Sequence, residues 1–287
     1  MTAVVLTYNE EENIDFCMRS ICGICKSIFI LDSGSTDATL EICRNYTNQI
    51  YYHEFKNSAD QWQWALDHLP IQDEWIMLLD ADHVLSGPLQ SEIVNQLAEG
   101  EQEISAYYCR HRYIYRGKKM HGFKSRGLLL FRRGCVRLDS GERHDYKFII
   151  QGQVAELRGF RYEENRKEND QAYWLQKHRI FADRIARDEL LRLYGMKQWQ
   201  NQGWLFGHHD ERIVWLKQRW LRMPLFVRPF LYFFYRYIFR GGFRDGWIGL
   251  QYHFLQAFWF RVQIDIKRMK LKHDLGIGRS NLKDLNS

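Results

Sequence analysis

No run of 18 uncharged apolar residues occurs anywhere in the 287-residue chain, so a conventional bilayer-crossing helix is not expected. A secretory leader is not expected either. The opening MTAVVLTYNEEENI starts a strand pattern at residue 3 and reaches acids by residue 10, where a leader would keep an apolar stretch behind a basic start. The six cysteines, at 17, 22, 25, 43, 109 and 135, lack the spacing of a disulfide framework, and a reducing, cytosolic setting suits them. CGIC at 22–25 is a close pair, but no second pair of matching spacing follows it. Ordinary partly buried thiols are therefore expected there, rather than half a zinc site or a redox couple. Internal repeats and low-complexity linkers are absent as well.

What is present is unevenly spread. Hydrophobic residues make up 45% of the chain, enough for a sizeable core in one large α/β domain or two smaller ones. From Arg212 to Lys272 there are 13 Lys/Arg against two acids, Asp245 and Asp265, a net +11. Everything before Arg212 has 26 basic and 31 acidic residues, a net −5. The basic segment also holds 17 of the 44 aromatics. This break in composition places a boundary near residue 210, with domains expected over 1–210 and 211–287.

The first hundred residues alternate between β-rich and helical patterns. AVVLTYN reads as a strand, and EENIDFCMRSIC has helical spacing through Ile14, Met18 and Ile21. SIFILDSGSTD reads as a second strand entering a Ser/Gly/Asp turn. STDATLEICRNY follows as a helix, with Ser35 or Thr36 placed to cap it. QIYYHEF, SADQWQWALDHL and EWIMLLDAD continue the series as strand, helix and strand. The alternation predicts an α/β fold with a mainly parallel sheet. Ligands of such sheets gather outside the carboxyl ends of the strands, and TYNEE, LDSGSTD and LDADH all fall at those ends. Residues 105–160 are denser in strand-like and basic pieces, and 165–199 are helical in character.

The apolar strand WIMLLDADHVL runs straight into Asp80 and Asp82. Ionised carboxylates in an apolar setting are costly unless paired or metal-bound. Either the strand stops and the acids meet water, or something positive sits on them. If the strand continued through them, both side chains would point to one side.

VVLTYNEEENI, ILDSGSTDAT and WIMLLDAD, in that order and all at strand ends, resemble the inverting glycosyltransferases of family 2. The match covers roughly residues 2–160. The tail RYIFRGGFRDGWIGL is similar to the membrane-associated branch that includes lipopolysaccharide-core glucosyltransferases. The resemblance implies a GT-A (Rossmann-like) fold, a mainly parallel sheet flanked by helices, followed by a C-terminal helical segment at a membrane interface. It implies a UDP-sugar donor and a Mg²⁺ or Mn²⁺ ion that neutralises charge on the departing diphosphate. Carried over residue by residue, Asp80 contacts the ribose and Asp82 reaches the metal. Asp32 receives the uracil ring, Thr7 and Tyr8 lie against the base, and Glu10 or Glu11 matches the acid after YN. For Asp37, a charge favourable to a helix N-terminus is the preferred reading.

Inversion also needs a base for the acceptor hydroxyl. The matching stretch is SGERHDYKF, where Asp145, preceded by His144, is the first choice and Glu142 the second. A solvated turn remains the plain alternative. His83 departs from the branch pattern, which has an acid there, and reads as a loop residue in preference to a metal ligand. Where relatives often carry a histidine after the next strand, this chain has Arg161-Tyr162. Arg126, Arg132 and Arg133 suit either a diphosphate, an anionic acceptor or a solvated strand edge.

Between 212 and 272, aromatics interleave with Lys and Arg, and the uninterrupted apolar pieces are short: PFLYFFY (229–235) and FLQAFWF (254–260). A basic face opposite bulky aromatics describes a helix lying in a membrane interface, with long basic stems reaching anionic headgroups. A core-packed helical subdomain is the alternative. Nucleic acid is not an expected partner, because the aromatics sit in apolar blocks instead of on a polar platform. The expected function is hexose transfer from a UDP-sugar to a lipid-linked or glycolipid acceptor of the cell-envelope or lipopolysaccharide type. The expected location is the cytoplasmic face of the inner membrane, with peripheral or monotopic attachment. A polyprenyl-phosphate sugar synthase and a non-catalytic membrane scaffold are the competing readings.

Overall fold

The computed structural model describes residues 1–99, 103–122, 125–138, 148–199, 203–206 and 209–274. Two compact units form: Met1–Lys119 with Phe123–Lys167, and Met120–Gly122 with Glu168–Ser287. The break in composition near residue 210 falls inside the second unit. The contact boundary lies earlier because α5 (Gln171–Leu193), although charge-rich, buries its Trp174, Ala182 and Ala186 against Phe260 and Ile264 of α9 (Phe260–Asp274).

The first unit is built on a nine-stranded mixed sheet among the described residues. Its N-terminal half is parallel: β3 (Ile50–Tyr52), β2 (Ser27–Asp32), β1 (Thr2–Thr7) and β4 (Trp75–Asp80) lie side by side. Beyond β4 come β8 (Ser125–Arg132), β6 (Ile104–Tyr115), β11 (Gln153–Glu163) and the short β5 (His83–Leu85). β8 is antiparallel to both neighbours, and β11 is parallel to β6 but antiparallel to β5. A two-residue β7 (Lys118–Lys119) pairs with β6, and β9 (Val136–Leu138) pairs separately with β10 (Phe148–Ile150).

Strict alternation in β1 and β4 supplies two cores, one on each face of the sheet. Val5 and Leu79 face α1 (Ile14–Ile21) and α4 (Gly87–Glu99), burying Ile14, Cys17, Met18, Leu89 and Ile93. Val4 and Leu78 face α3 (Ser58–His68), burying Trp62 and Ala65. Each fully buried aliphatic side chain of this kind contributes roughly 1.5–3 kcal/mol, so the register of these strands is firmly held. α3 is capped by Asn57, whose side chain accepts from Asp60 N at 2.9 Å. The cap expected at Ser35 or Thr36 does not form. α2 runs only over Thr39–Arg44, because Ser35 and Thr36 are drawn into the loop described below.

In the second unit, α6 (His209–Arg222), α7 (Val227–Phe234) and α8 (Gly246–His253) join α5 and α9. α7 continues as a π-helical turn over Tyr235–Phe239, and α8 passes through another over Phe254–Trp259 into α9. Four of the buried charges form one paired network. Arg228 donates to Asp265 Oδ1 (2.7 Å from Nε) and to Glu189 (2.8 Å), and Arg268 donates to Glu189 (2.7 Å). The RGGFRDG stretch has a structural reason. Buried Asp245 accepts from His121 N (2.8 Å) and from its Nδ1, and a Cβ on Gly242 would come 2.4 Å from His253 Nε2. No described helix is long and apolar enough to cross a membrane.

Candidate active site

The carboxyl ends of β1, β2 and β4 lie together in the sheet, with Thr7 opposite Asp32 and Leu6 opposite Asp80. The loops after β1 and β2 interlock. Asn9 takes a left-handed conformation (φ 52°), which lets its N–H donate to Ser35 Oγ (2.8 Å) while its Oδ1 accepts from Thr36 N (2.8 Å). Asp32 is buried and its carboxylate braces its own turn. Oδ2 accepts from Gly34 N and Ser35 N, both at 2.8 Å, and Oδ1 accepts from Ser35 Oγ. Three acceptor positions are thus used locally, which makes Asp32 first a support of the loop. Asp37 similarly accepts from Thr39 and from Glu11 N (3.2 Å). Burial works against its ionised form, but these hydrogen bonds hold its carboxyl below the usual range.

Glu10 accepts from Lys167 Nζ and from Asn13 Nδ2, each at 2.6 Å. Thr7 is buried, and its Oγ1 has no hydrogen-bond partner among the described residues. Tyr8 is 56% exposed at the loop after β1, and Tyr52 is 64% exposed at the end of β3. Two aromatic faces are therefore open beside the polar loops.

β4 ends at Asp80, so Asp82 lies in the turn and not on a continued strand. The turn is closed by Asp80 N donating to His83 Nδ1 at 2.9 Å. His83 is not a loop residue. It is buried at the start of β5, with Nε2 3.8 Å from Asp80 Oδ2 and 4.0 Å from Asp82 Oδ1. Burial first, then the charge of Arg161 and the neighbouring His111, push its pKa well below the ordinary value.

Behind His83 stands a group that sequence reasoning missed. His111 of β6 and Arg161 of β11 are cross-strand partners, and Glu163 of β11 is opposite His83 of β5. Arg161 donates from Nη2 to His111 Nδ1 at 3.2 Å, and His111 Nε2 lies 2.8 Å from Glu163 Oε2, though out of line for a hydrogen bond. The usable signal was the run of charged residues in RHRY and FRYEE, unusual in strands with an apolar core. The candidates for the base, Asp145 and Glu142, lie outside the described residues, as does His144.

The side chains fit a divalent ion at the Asp80–Asp82 turn. Two carboxylates, 42% and 16% exposed, converge near one ring nitrogen, and hard oxygen donors of this kind suit Mg²⁺ or Mn²⁺. His83, His111 and Glu163 also have metal-like spacing, with ligand atoms within 4.8 Å of one another. That group is less suited to a cation. Nδ1 of each histidine already accepts an N–H, which leaves the proton on Nε2, and a guanidinium sits at 3.2 Å.

Fold and site together define an α/β protein of the GT-A type, with a polar cleft at its strand ends. The glycosyl transferase family 2 model matches residues 2–163, and the chain belongs to that family, whose members are transferases. Over 165 residues it is 27% identical to the lipopolysaccharide core biosynthesis glycosyltransferase LpsC of Rhizobium meliloti (strain 1021), covering 55% of this chain and 60% of that one. Over 139 residues it is 28% identical to a glycosyltransferase of Rickettsia typhi, covering 48% and 45%. The matched segments thus span 60% or less of these two relatives' lengths. Among solved structures, it is similar to glucosyl-3-phosphoglycerate synthase of Mycobacterium tuberculosis with Mg²⁺ and UDP, at 20% identity and TM-score 0.31, covering 40% of this chain and 43% of that one.

Proposed function

We propose that this family 2 enzyme is an inverting hexosyltransferase that takes its sugar from a UDP-sugar and gives it to a lipid-linked or glycolipid acceptor. The observation that carries the reading is the convergence of three polar loops at the carboxyl ends of β1, β2 and β4, with Asp80 and Asp82 between them. In this reading the uridine lies against Thr7 and Tyr8, on the loop that Asn9, Glu10 and Asp32 hold in shape. Asp80 meets the ribose and Asp82 holds Mg²⁺ or Mn²⁺. When bound, the ion supplies positive charge to the diphosphate as the glycosidic bond breaks. Asp145 takes the proton of the acceptor hydroxyl, with Glu142 as the other candidate.

Membrane attachment through the second unit is part of the same proposal. Phe230, Leu231, Phe234, Tyr235, Ile238 and Phe239 are all exposed on the helix that begins as α7, at spacings that share one face. Phe239 (80% exposed) and Trp247 (78%) stand beside exposed Arg240 and Arg244. Contiguous apolar surface rimmed by basic residues suits a monotopic contact with the cytoplasmic face of an inner membrane rich in anionic lipid. The core-packed alternative accounts less well for this face, since each of these side chains is at least 48% exposed among the described residues.

The test is donor hydrolysis and transfer with UDP-sugars, with and without Mn²⁺, using membrane lipid extract as acceptor and mass detection of product. Mn²⁺-dependent transfer to a lipid supports the reading. Absence of turnover with every UDP-sugar would reject it.

A further inference from the structure

A cavity of about 220 Å³ opens in the first unit, lined by Asp80, His83, Trp62, Tyr108, Arg126 and Arg161 among others. Arg161 is only 7% exposed. Its Nη1 donates to Leu128 O at 3.3 Å and its Nη2 to His111 Nδ1 at 3.2 Å, while Nε is buried without a partner. Neither acceptor is a carboxylate, and no carboxylate of the described residues forms an ion pair with the guanidinium. A buried cation in that state is unfavourable by several kcal/mol unless an anion offsets it. The fold nevertheless makes room for it. A Cβ on Gly127 would come 2.4 Å from Arg161 Nη2, so glycine at that position lets the guanidinium approach β8 closely. Buried His83 adds a second donor to the lining. Its Nδ1 accepts Asp80 N, so its Nε2–H points to the side where Asp80 and Asp82 lie.

We propose that Arg161 is the anion-recognising residue of this cavity and receives the diphosphate of the nucleotide donor. The inference rests on the proposed UDP-sugar reading. In transfer, the bond between the anomeric carbon and the β-phosphate oxygen breaks, and its electron pair stays on that oxygen. The acceptor oxygen bonds to the anomeric carbon, and its proton passes to the carboxylate base. Arg161 then faces the oxygen on which charge develops. A guanidinium is always protonated and presents a planar fork to phosphate oxygens, so this recognition persists when divalent ions are chelated.

Calorimetric titration of the full chain with UDP, UMP and uridine, in EDTA and in Mn²⁺, tests the assignment. Arg161→Gln is expected to weaken UDP binding about 10- to 100-fold in EDTA, the range of a lost charged hydrogen bond, and to leave uridine binding unchanged. Arg161→Lys keeps the charge without the fork and is expected to fall between. Gly127→Ala displaces the guanidinium and should copy the glutamine variant more weakly, which keeps the test open should Arg161→Gln fail to fold. UDP affinity equal to wild type in the folded variants would overturn the proposal. Intact UDP binding combined with a raised KM for acceptor would overturn it too, and would assign the guanidinium to an anionic group on the acceptor. A wild-type chain that binds no UDP in either buffer would overturn both this inference and the donor reading.

Discussion

The two units treat buried charge in opposite ways. In the helical unit, buried Arg228 and Arg268 meet Asp265 and Glu189 within 2.8 Å, so these two cations have carboxylates as direct partners. In the sheet unit, Arg161 is buried against a carbonyl and an imidazole, and carboxylates gather instead at the ends of β1, β2 and β4. Guanidinium–carboxylate pairing of this kind describes a scaffold. A guanidinium held by a carbonyl and an imidazole beside a cavity is the arrangement on which the proposed diphosphate site rests. The contrast separates the unit expected to do chemistry from the unit expected to hold position.

The comparison breaks most sharply at the acidic turn. Asp82→Ala is expected to cut Mn²⁺-dependent transfer about a thousandfold or more, since metal charge stabilisation is worth several kcal/mol, while thermal melting stays near wild type. Normal metal-dependent turnover would sink the assignment. Asp145→Asn should lower transfer by about 10²–10⁴-fold and leave UDP binding intact. The reverse pattern in Glu142→Gln would move the base to residue 142.

The helical unit should answer in stability instead. Removing one partner of its buried network, as in Asp265→Ala, is expected to destabilise that unit by about 3–5 kcal/mol, read by chemical denaturation. UDP binding should persist at temperatures where the unit remains folded. Acidification should act on the same unit. Burial lowers the pKa of His253 and of His178 from 6.5 to about 4. The unfolded chain therefore takes up protons below pH 6.5 that the folded unit refuses. Stability is complete above about pH 6.5 and falls as pH drops towards 4. His178→Gln should flatten that fall, and a pH-independent melting temperature across the window would count against it.

The smallest expected effect concerns the exposed apolar face. Phe239→Ser should weaken liposome flotation by about 1–2 kcal/mol, and each basic residue near the surface adds about 1 kcal/mol on anionic lipid. Added salt should reduce flotation without abolishing it. Full-length protein that never floats in any lipid mixture would remove the membrane from the proposal.

Much of the first unit was legible because its signals are local. The β-rich apolar runs AVVLT and WIMLL marked strands, and polar residues after each run marked the strand ends. The group behind the site was not legible, because it depends on pairing between distant strands. His83, His111 and Arg161 meet only through the β6–β11 and β11–β5 registers, which no short window contains. Asp32 shows a subtler gap. Its place at the end of a strand in LDSGSTD was legible, but the demands of its own turn on both carboxylate oxygens emerge only in three dimensions. The break in composition near 210 likewise reflects which surface is basic and aromatic, and not where packing divides, since charged α5 belongs to the helical unit by its buried face.

The hold that Lys167 keeps on the first loop bears on how the enzyme can be dissected. Lys167 Nζ donates to Asn9 O (2.7 Å) and Glu10 Oε1, Arg166 N donates to Asn13 Oδ1 (2.9 Å), and the Arg166 guanidinium lies 3.6 Å from the centre of the Phe16 ring. These contacts join the two extremities of the unit, across more than 150 positions of sequence. A fragment cut at Glu163, where the family match ends, would lose this clasp and with it the shape of the loop after β1. Four more residues would preserve it. For anyone trimming the chain to a minimal donor-binding piece, the cut belongs after Lys167, and the shorter fragment is the one to distrust.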